Sequence, residues 1–202
     1  MDNLSRSFSY MFKDKNWIGK FLVGAFFNFC WIVLIGIPFV FGYMLEVAKN
    51  SAEGKELPLP EWTNLGEKFG KGLIYFIILL IYLIPGTIMS VIPCVGICLG
   101  PLYFLAFLFI LPYITVKFSL TGNFNDAFKF SEIFEFVKLN LTNLVVVVLL
   151  FIALEVLAWF GLLILIIGVF FTFFWADLAI YHSFGQIYCG AKSTEKAIPE
   201  QS

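Results

Sequence analysis

Two carboxylates, Glu155 and Asp177, stand inside long apolar stretches of this sequence, and acids in such surroundings are candidates for proton or cation chemistry. At the centre of a bilayer an ionised acid costs roughly 2.5–3.5 kcal/mol on insertion scales, so it needs a proton, a partner or a wet cavity. If the chain between them turns near residue 164, they lie 9 and 13 residues from the turn. A four-residue mismatch is about 6 Å at helical rise. The pair could then face one cavity and share a proton, because adjacent carboxylates resist joint ionisation. The plainer alternative is that each is protonated, or bonded to neighbouring hydroxyls, and serves packing. His182, five residues beyond Asp177, could extend a relay, or be a structural histidine near the membrane surface. Asn28 suits a hydrogen bond between helices.

The loop Leu57-Pro58-Leu59-Pro60-Glu61-Trp62 is the second group of interest. Pro58 and Pro60 fix two φ angles and favour an extended path. Glu61 and Trp62 then offer an acid and an aromatic, suited to anchoring at headgroup level or to docking a partner. Cys94 and Cys98 could pair only if the backbone between them bends, since a regular helix holds i and i+4 awkwardly for a disulfide. Cys30 and Cys189 read as unpaired. With one histidine in the chain there is no zinc-ligand spacing. The sequence holds no Walker loop, dinucleotide-binding glycine pattern or serine elbow. No enzyme, metal or cofactor is therefore expected.

What must position these residues is set by solvent. Of 202 residues, 60% are hydrophobic and 13% charged, with 26 phenylalanines; soluble domains run at roughly 45–50% and about 25%. A soluble chain of this length has too much surface to hide that much apolar side chain. No charge occurs from Phe21 to Leu45 or from Gly72 to Val116, and from Leu139 up to, but not including, Lys192 there are only Glu155, Asp177 and His182. A membrane-crossing helix needs roughly 20 apolar residues, so the second and third stretches each accommodate two crossings and a turn. The net charge of −1 argues against nucleic acid as a partner. Lys13, Lys15 and Lys20 precede an apolar run longer than a signal-peptide core and without a small-x-small exit, so the first segment should be retained.

Internal repetition organises the chain. Gly54, Gly122 and Gly190 are 68 residues apart, and at that offset Lys49 matches Lys117, Ser51 matches Ser119 and Glu67 matches Glu135. Glu155 and Asp177 have no such counterparts, the offset giving Thr87 and Phe109. Each unit (about 4–55, 63–123 and 127–192) reads as an amphipathic lead-in, an apolar hairpin and a polar exit near a glycine. Leu4, Phe8, Met11 and Phe12 form one helical face, as do Phe130, Ile133, Phe134 and Val137; such segments lie in the membrane interface. The middle lead-in, Thr63 to Lys71, is weaker. The first hairpin is short and broken at Gly36 and Pro38, which suggests helices over about 17–34 and 37–50, re-entrant or crossing twice; one kinked span is the alternative. The hairpin turns around 93–100 and 161–168 lack lysine and arginine, which collect in the other connections. The positive-inside rule places those basic connections and the C-terminus in the cytoplasm. Residues 193–202 read as a flexible tail.

Gly42-Tyr43-Met44-Leu45-Glu46-Val47, then Gly54 and the Leu-Pro-Glu-Trp loop ending at Trp62, resemble a prokaryotic membrane family, domain of unknown function 4013. Phe12 and Trp17 before the first helix, and Phe184-Gly185-Gln186-Ile187-Tyr188 in the last, are similar to its pattern. Glu46 departs from it, standing where arginine is frequent, which argues against a basic lipid-facing site there. The resemblance implies class and host range but no activity. The expectation is one all-α integral membrane domain over residues 1–202, a polytopic bundle of about six segments in a prokaryotic cytoplasmic membrane. Three functions suit it: a non-enzymatic scaffold or subunit docking another membrane component or a second copy of itself; a small proton- or cation-coupled transporter or channel using Glu155 and Asp177; and a lipid-handling protein. The partner expected under all three is the lipid bilayer.

Overall fold

A computed structural model describes residues 10–30, 34–55, 59–92, 95–163 and 165–197. Leu4 and Phe8 of the first lead-in, Pro58 and Cys94 lie outside the described residues. Among the described residues there is no strand. The helices are α1 (Trp17–Phe29), α2 (Gly36–Ala52), α3 (Leu65–Val91), α4 (Val95–Thr121), α5 (Phe130–Leu139), α6 (Leu141–Trp159) and α7 (Leu165–Ala197), with short 3-10 turns at Met11–Lys13, Phe124–Phe128 and Phe160–Leu163. Three helical stretches, Leu65–Val91, Gly96–Thr121 and Leu141–Trp159, are long and apolar enough to cross a membrane.

The helix ends follow from local chemistry. Gly54 and Gly122 have φ of 74° and 65°, the left-handed geometry that only glycine enters without strain. After α2, Gly54 N–H donates to the Ser51 carbonyl at 3.1 Å and Lys55 N–H to that of Asn50 at 3.0 Å, the paired bonds of a Schellman close. After α4 a single bond from Gly122 N–H to the Phe118 carbonyl, 2.8 Å, does the same work. The third glycine of the series behaves differently. Gly190 lies within α7, which runs on to Ala197, so the segment from 193 begins as a continuation of that helix. Within α3, Pro85 lacks the N–H that a helix interior uses. Close by, the Tyr103 hydroxyl donates from α4 to the Tyr82 carbonyl at 2.6 Å.

Packing places α2 at the centre, with Val40, Tyr43, Met44, Val47 and Ala48 fully buried. Its most extensive partners are α3 and α7. A Cβ on Gly72 of α3 would stand 1.8 Å from the Pro38 carbonyl oxygen, and one on Gly42 of α2 would stand 2.0 Å from that of Lys68. The two helices therefore cross backbone to backbone, antiparallel. Helix α7 runs alongside α2 in the same direction, since Tyr43 packs on Phe174 at 5.9 Å and Ala48 and Ser51 meet Gly185. Helix α1 runs against α7, with Gly24 on the Phe174 ring and Asn28 Nδ2 donating to the Phe170 carbonyl at 2.9 Å. Helices α3 and α4 are antiparallel through Tyr75 and Thr115, and α6 and α7 through a hydrogen bond from Thr172 Oγ1 to the Ala158 carbonyl, 2.8 Å. The starts of α1, α3 and α6 and the ends of α2, α4 and α7 thus share one end of the bundle. The lysines sit there.

Helix boundaries differ modestly from expectation. The first two helices end at 29 and begin at 36, close to the break foreseen at Gly36 and Pro38. The middle lead-in is no separate element: Leu65 to Lys71 forms the opening turns of α3. Its counterpart before the third apolar stretch is a distinct helix, α5, with Ile133 and Phe136 buried and Phe130 and Phe134 exposed.

Candidate functional site: an acid and hydroxyl cluster inside the bundle

Helices α6 and α7 bring Glu155 and Asp177 within electrostatic reach of each other. The Thr172–Ala158 bond sets their register. It puts Glu155 opposite about position 175, two residues from Asp177, or about 3 Å of depth at 1.5 Å per residue. That is tighter than a turn at 164 suggests. Both acids are half-buried within the protein.

Two further helices complete the cluster. Tyr181 follows Asp177 by four residues on α7, hence on the same face, and its hydroxyl interacts with that of Tyr75 on α3. The Tyr75 hydroxyl meets Thr115 Oγ1 of α4 at 2.6 Å, and Thr115 in turn donates to the Leu111 carbonyl at 2.8 Å. Asp177 lies in the electrostatic field of both tyrosines. Tyr75 and Thr115 are wholly buried. A hydroxyl is both donor and acceptor, so Tyr181, Tyr75 and Thr115 form a row of groups of the kind that can relay a proton, with Asp177 one helical turn from Tyr181. Tyr75, Thr115 and Tyr181 were absent from the sequence-based candidates. Nothing in the sequence marks them, since uncharged hydroxyls also occur elsewhere in the same apolar runs.

The structure places the other candidates elsewhere. His182 is buried and stacks on Tyr10, ring centroids 4.0 Å apart at 10°. Five residues from Asp177 correspond to about 140° around the helix, so its ring leaves the face that carries the acid. Cys98 has a free thiol.

The Pro60-Glu61-Trp62 segment is folded onto the bundle. The Trp62 ring lies between Tyr43 (4.2 Å, 14°) and Phe27 (5.1 Å, 25°), and Nε1 donates to the Lys20 carbonyl at 2.8 Å. The Tyr43 hydroxyl donates to the Pro60 carbonyl at 3.1 Å. Lys20, though only 8% exposed, pairs with Asp14 at 2.6 Å and Glu61 at 2.7 Å. Burial opposes the charge on Asp14, but hydrogen bonds from Lys20 and the Asn16 N–H, with the Lys20 charge, hold its carboxyl below the ordinary value. The motif is therefore a clamp that ties α1 to α2.

A second ionic clamp fastens α5 to α4. Glu132 accepts from the Tyr113 hydroxyl at 2.6 Å and from Lys117 at 2.8 Å. The Lys117 bond first, then that from Tyr113, pushes its pKa down to about 2. A carboxylate with a depressed folded-state pKa adds stability above its unfolded pKa and loses it as pH falls through the folded value. The expected result is that wild type melts above Glu132→Gln at neutral pH. That gap should shrink from the ordinary glutamate range down to about pH 2, as melting curves across pH would show.

At the lysine-bearing end, α2, α3 and α4 enclose a cleft of about 230 Å³. Ion pairs line it: Lys68 with Glu46, Lys71 with Glu67 at 2.6 Å, and Lys49 and Lys55 both with Glu53, at 3.9 and 3.0 Å.

These features define an all-helical protein with apolar helices of membrane-crossing length and a polar cluster within the bundle. The chain belongs to the family described as "Protein of unknown function (DUF4013)", which matches residues 25–167. It is similar to an uncharacterized protein of Methanocaldococcus jannaschii, 28% identical over 153 residues, which are 67% of this chain and 53% of the relative. The chain thus spans about half the length of the curated relative it matches. No solved structure matches it.

Proposed function

We propose that this protein is a multi-pass protein of a prokaryotic cell membrane that acts without enzymatic chemistry, as a small proton- or cation-responsive carrier centred on Glu155 and Asp177. The observation that carries this reading is the convergence of four helices on one acid and hydroxyl cluster. Packing alone would be served by apolar residues, whereas acids at this depth need a proton, a partner or a wet cavity to be tolerated.

The antiparallel contacts support three hairpins, α1–α2, α3–α4 and α6–α7, giving six segments with their basic ends together. By the positive-inside rule that end is cytoplasmic. Helices α1 and α2, 13 and 17 residues long, reach about 20 and 26 Å. That is less than the roughly 30 Å of a hydrocarbon core, so the first hairpin enters and returns.

Dicyclohexylcarbodiimide, which attacks protonated carboxyls in apolar surroundings, tests the reading. Asp177 or Glu155 is expected to be modified in native membranes, less so as pH rises. Asp177 is faced by Glu155 from α6, Tyr75 from α3 and Tyr181 on its own helix, so the decline should change when Glu155 is replaced. Asp177→Asn with Glu155→Gln should abolish dissipation of a pH gradient by proteoliposomes. No modification of either acid at acidic or neutral pH would remove the proposal.

A second reading, a scaffold or subunit of a membrane assembly, is favoured by Phe130, Phe134 and Leu139, which stay 64%, 63% and 78% exposed on α5. A stoichiometric partner retained in mild detergent and lost on Phe134→Asp would support it.

A further inference from the structure

The cleft and the acid cluster are separated by very little. Phe118 of α4, 1% exposed, forms part of the cleft wall. Its ring packs on Tyr75 at 6.1 Å between centroids and 17° between planes. The Tyr75 hydroxyl already belongs to the cluster. A path from the cleft therefore meets one pair of stacked rings before reaching the Tyr75 and Tyr181 hydroxyls, and Tyr181 lies one helical turn from Asp177 on α7. A phenylalanine ring offers no donor or acceptor, so the path is closed in this arrangement.

The cleft also has a charge preference. Lys49, Lys55, Lys68 and Lys71 face three carboxylates, Glu46, Glu53 and Glu67, and Glu53 is shared between two of the lysines. The surplus is positive. That surplus opposes a hydrated proton and a metal cation alike, so selection falls to the hydroxyls beyond the cleft, which can pass on a proton and not a metal ion.

Building on the carrier reading above, we infer that this cleft is the mouth through which protons reach Glu155 and Asp177 from the lysine-bearing side, and that Phe118 is the layer that closes it. When the ring swings aside, water bridges the cleft to Tyr75. Each hydroxyl accepts a proton on one lone pair as its own proton leaves for the next group. The proton ends on the Asp177 carboxylate, and every tyrosine is left neutral. The carried species is the proton, the one cation that a row of hydroxyls can relay.

The experiment is side-specific modification by a water-soluble carbodiimide with glycine ethyl ester, on oriented vesicles, with each modified carboxyl located by mass spectrometry. In wild type, reagent on the lysine-bearing side should modify Glu46, Glu53 and Glu67 and leave Asp177 nearly untouched. In Phe118→Ala, and in the milder Phe118→Leu, Asp177 should react at least about tenfold faster, the equivalent of roughly 1.4 kcal/mol off the opening step, and only from that side. An unchanged rate at Asp177 in folded variants, or equal reaction from the opposite side, would overturn the inference. If dicyclohexylcarbodiimide still labels the acid pair, the carrier reading survives that result; if it labels neither acid, the carrier reading itself has failed. Should both Phe118 variants fail to fold, Asn64→Cys in a chain with its four native cysteines replaced provides the decision. A bulky thiol reagent on that cysteine should slow pH-gradient dissipation about tenfold, and no slowing would overturn the inference.

Discussion

Gly72→Ala is expected to lower the melting midpoint of the detergent-solubilised protein by about 10 °C. The added Cβ would stand 1.8 Å from the Pro38 carbonyl oxygen and 2.6 Å from the Gly42 nitrogen. Both are backbone atoms, and neither can rotate away. Helices α2 and α3 must separate along the most extensive helix contact in the protein. Overpacking costs about 1–3 kcal/mol and more where the neighbour cannot yield. At roughly 2–4 °C per kcal/mol for a chain of this size, a loss of about 3 kcal/mol gives the stated shift. Gly70→Ala is the control. Nothing lies within 4 Å of its added Cβ, and alanine is favoured over glycine in a helix by about 1 kcal/mol, so this variant should melt at or slightly above wild type. If the two variants melt alike, the backbone-to-backbone crossing is not present in solution.

Trp62→Ala should have a comparable effect by an opposite route, removing matter rather than adding it. The indole fills the space between Phe27 and Tyr43 and closes the loop by its bond to the Lys20 carbonyl. Truncating a buried Trp costs about 3–5 kcal/mol. Trp62 is only half-buried, which puts the expected loss near the lower bound, about 3 kcal/mol. Trp62→Phe keeps most of the ring contact and loses the N–H donor. It should cost about 1 kcal/mol, the net worth of one hydrogen bond. Thermal melts of the three proteins check the ranking. Equal melts for wild type and Trp62→Ala would mean that the ring faces lipid or a partner instead of the bundle.

How far the fold could be read from the chain depended on which force decided each part. Helices α3, α4 and α6 follow from long, strongly apolar stretches with few charges. The break at Gly36 and Pro38 and the ends at Gly54 and Gly122 follow from local backbone chemistry. Gly190 failed as a helix end because a glycine permits a left-handed turn without enforcing one; nothing lies within 4 Å of its Cβ position, and the helix passes through. The opening of α3 reads in sequence as a weak lead-in because Gly66 and Gly70 interrupt its pattern, whereas in the fold it is continuous with the helix that sets Gly72 against Pro38.

The candidate site was half visible. Carboxylates in apolar runs announce themselves by cost, so Glu155 and Asp177 could be picked out by eye. Their hydroxyl neighbours could not, since Tyr75, Thr115 and Tyr181 carry no charge and acquire a role only from which helices become neighbours. Trp62 has the same explanation. An aromatic after two prolines suits a membrane surface as well as a slot between rings, and only tertiary packing distinguishes them.

Infrared spectroscopy of the protein reconstituted in lipid gives the most direct measurement of whether an acid inside the bundle holds a proton at neutral pH. A carbonyl stretch from a protonated carboxylic acid is expected in wild type, with part or all of it missing in Asp177→Asn or Glu155→Gln. A wild-type spectrum with carboxylate bands alone, unchanged by either substitution, would contradict the account.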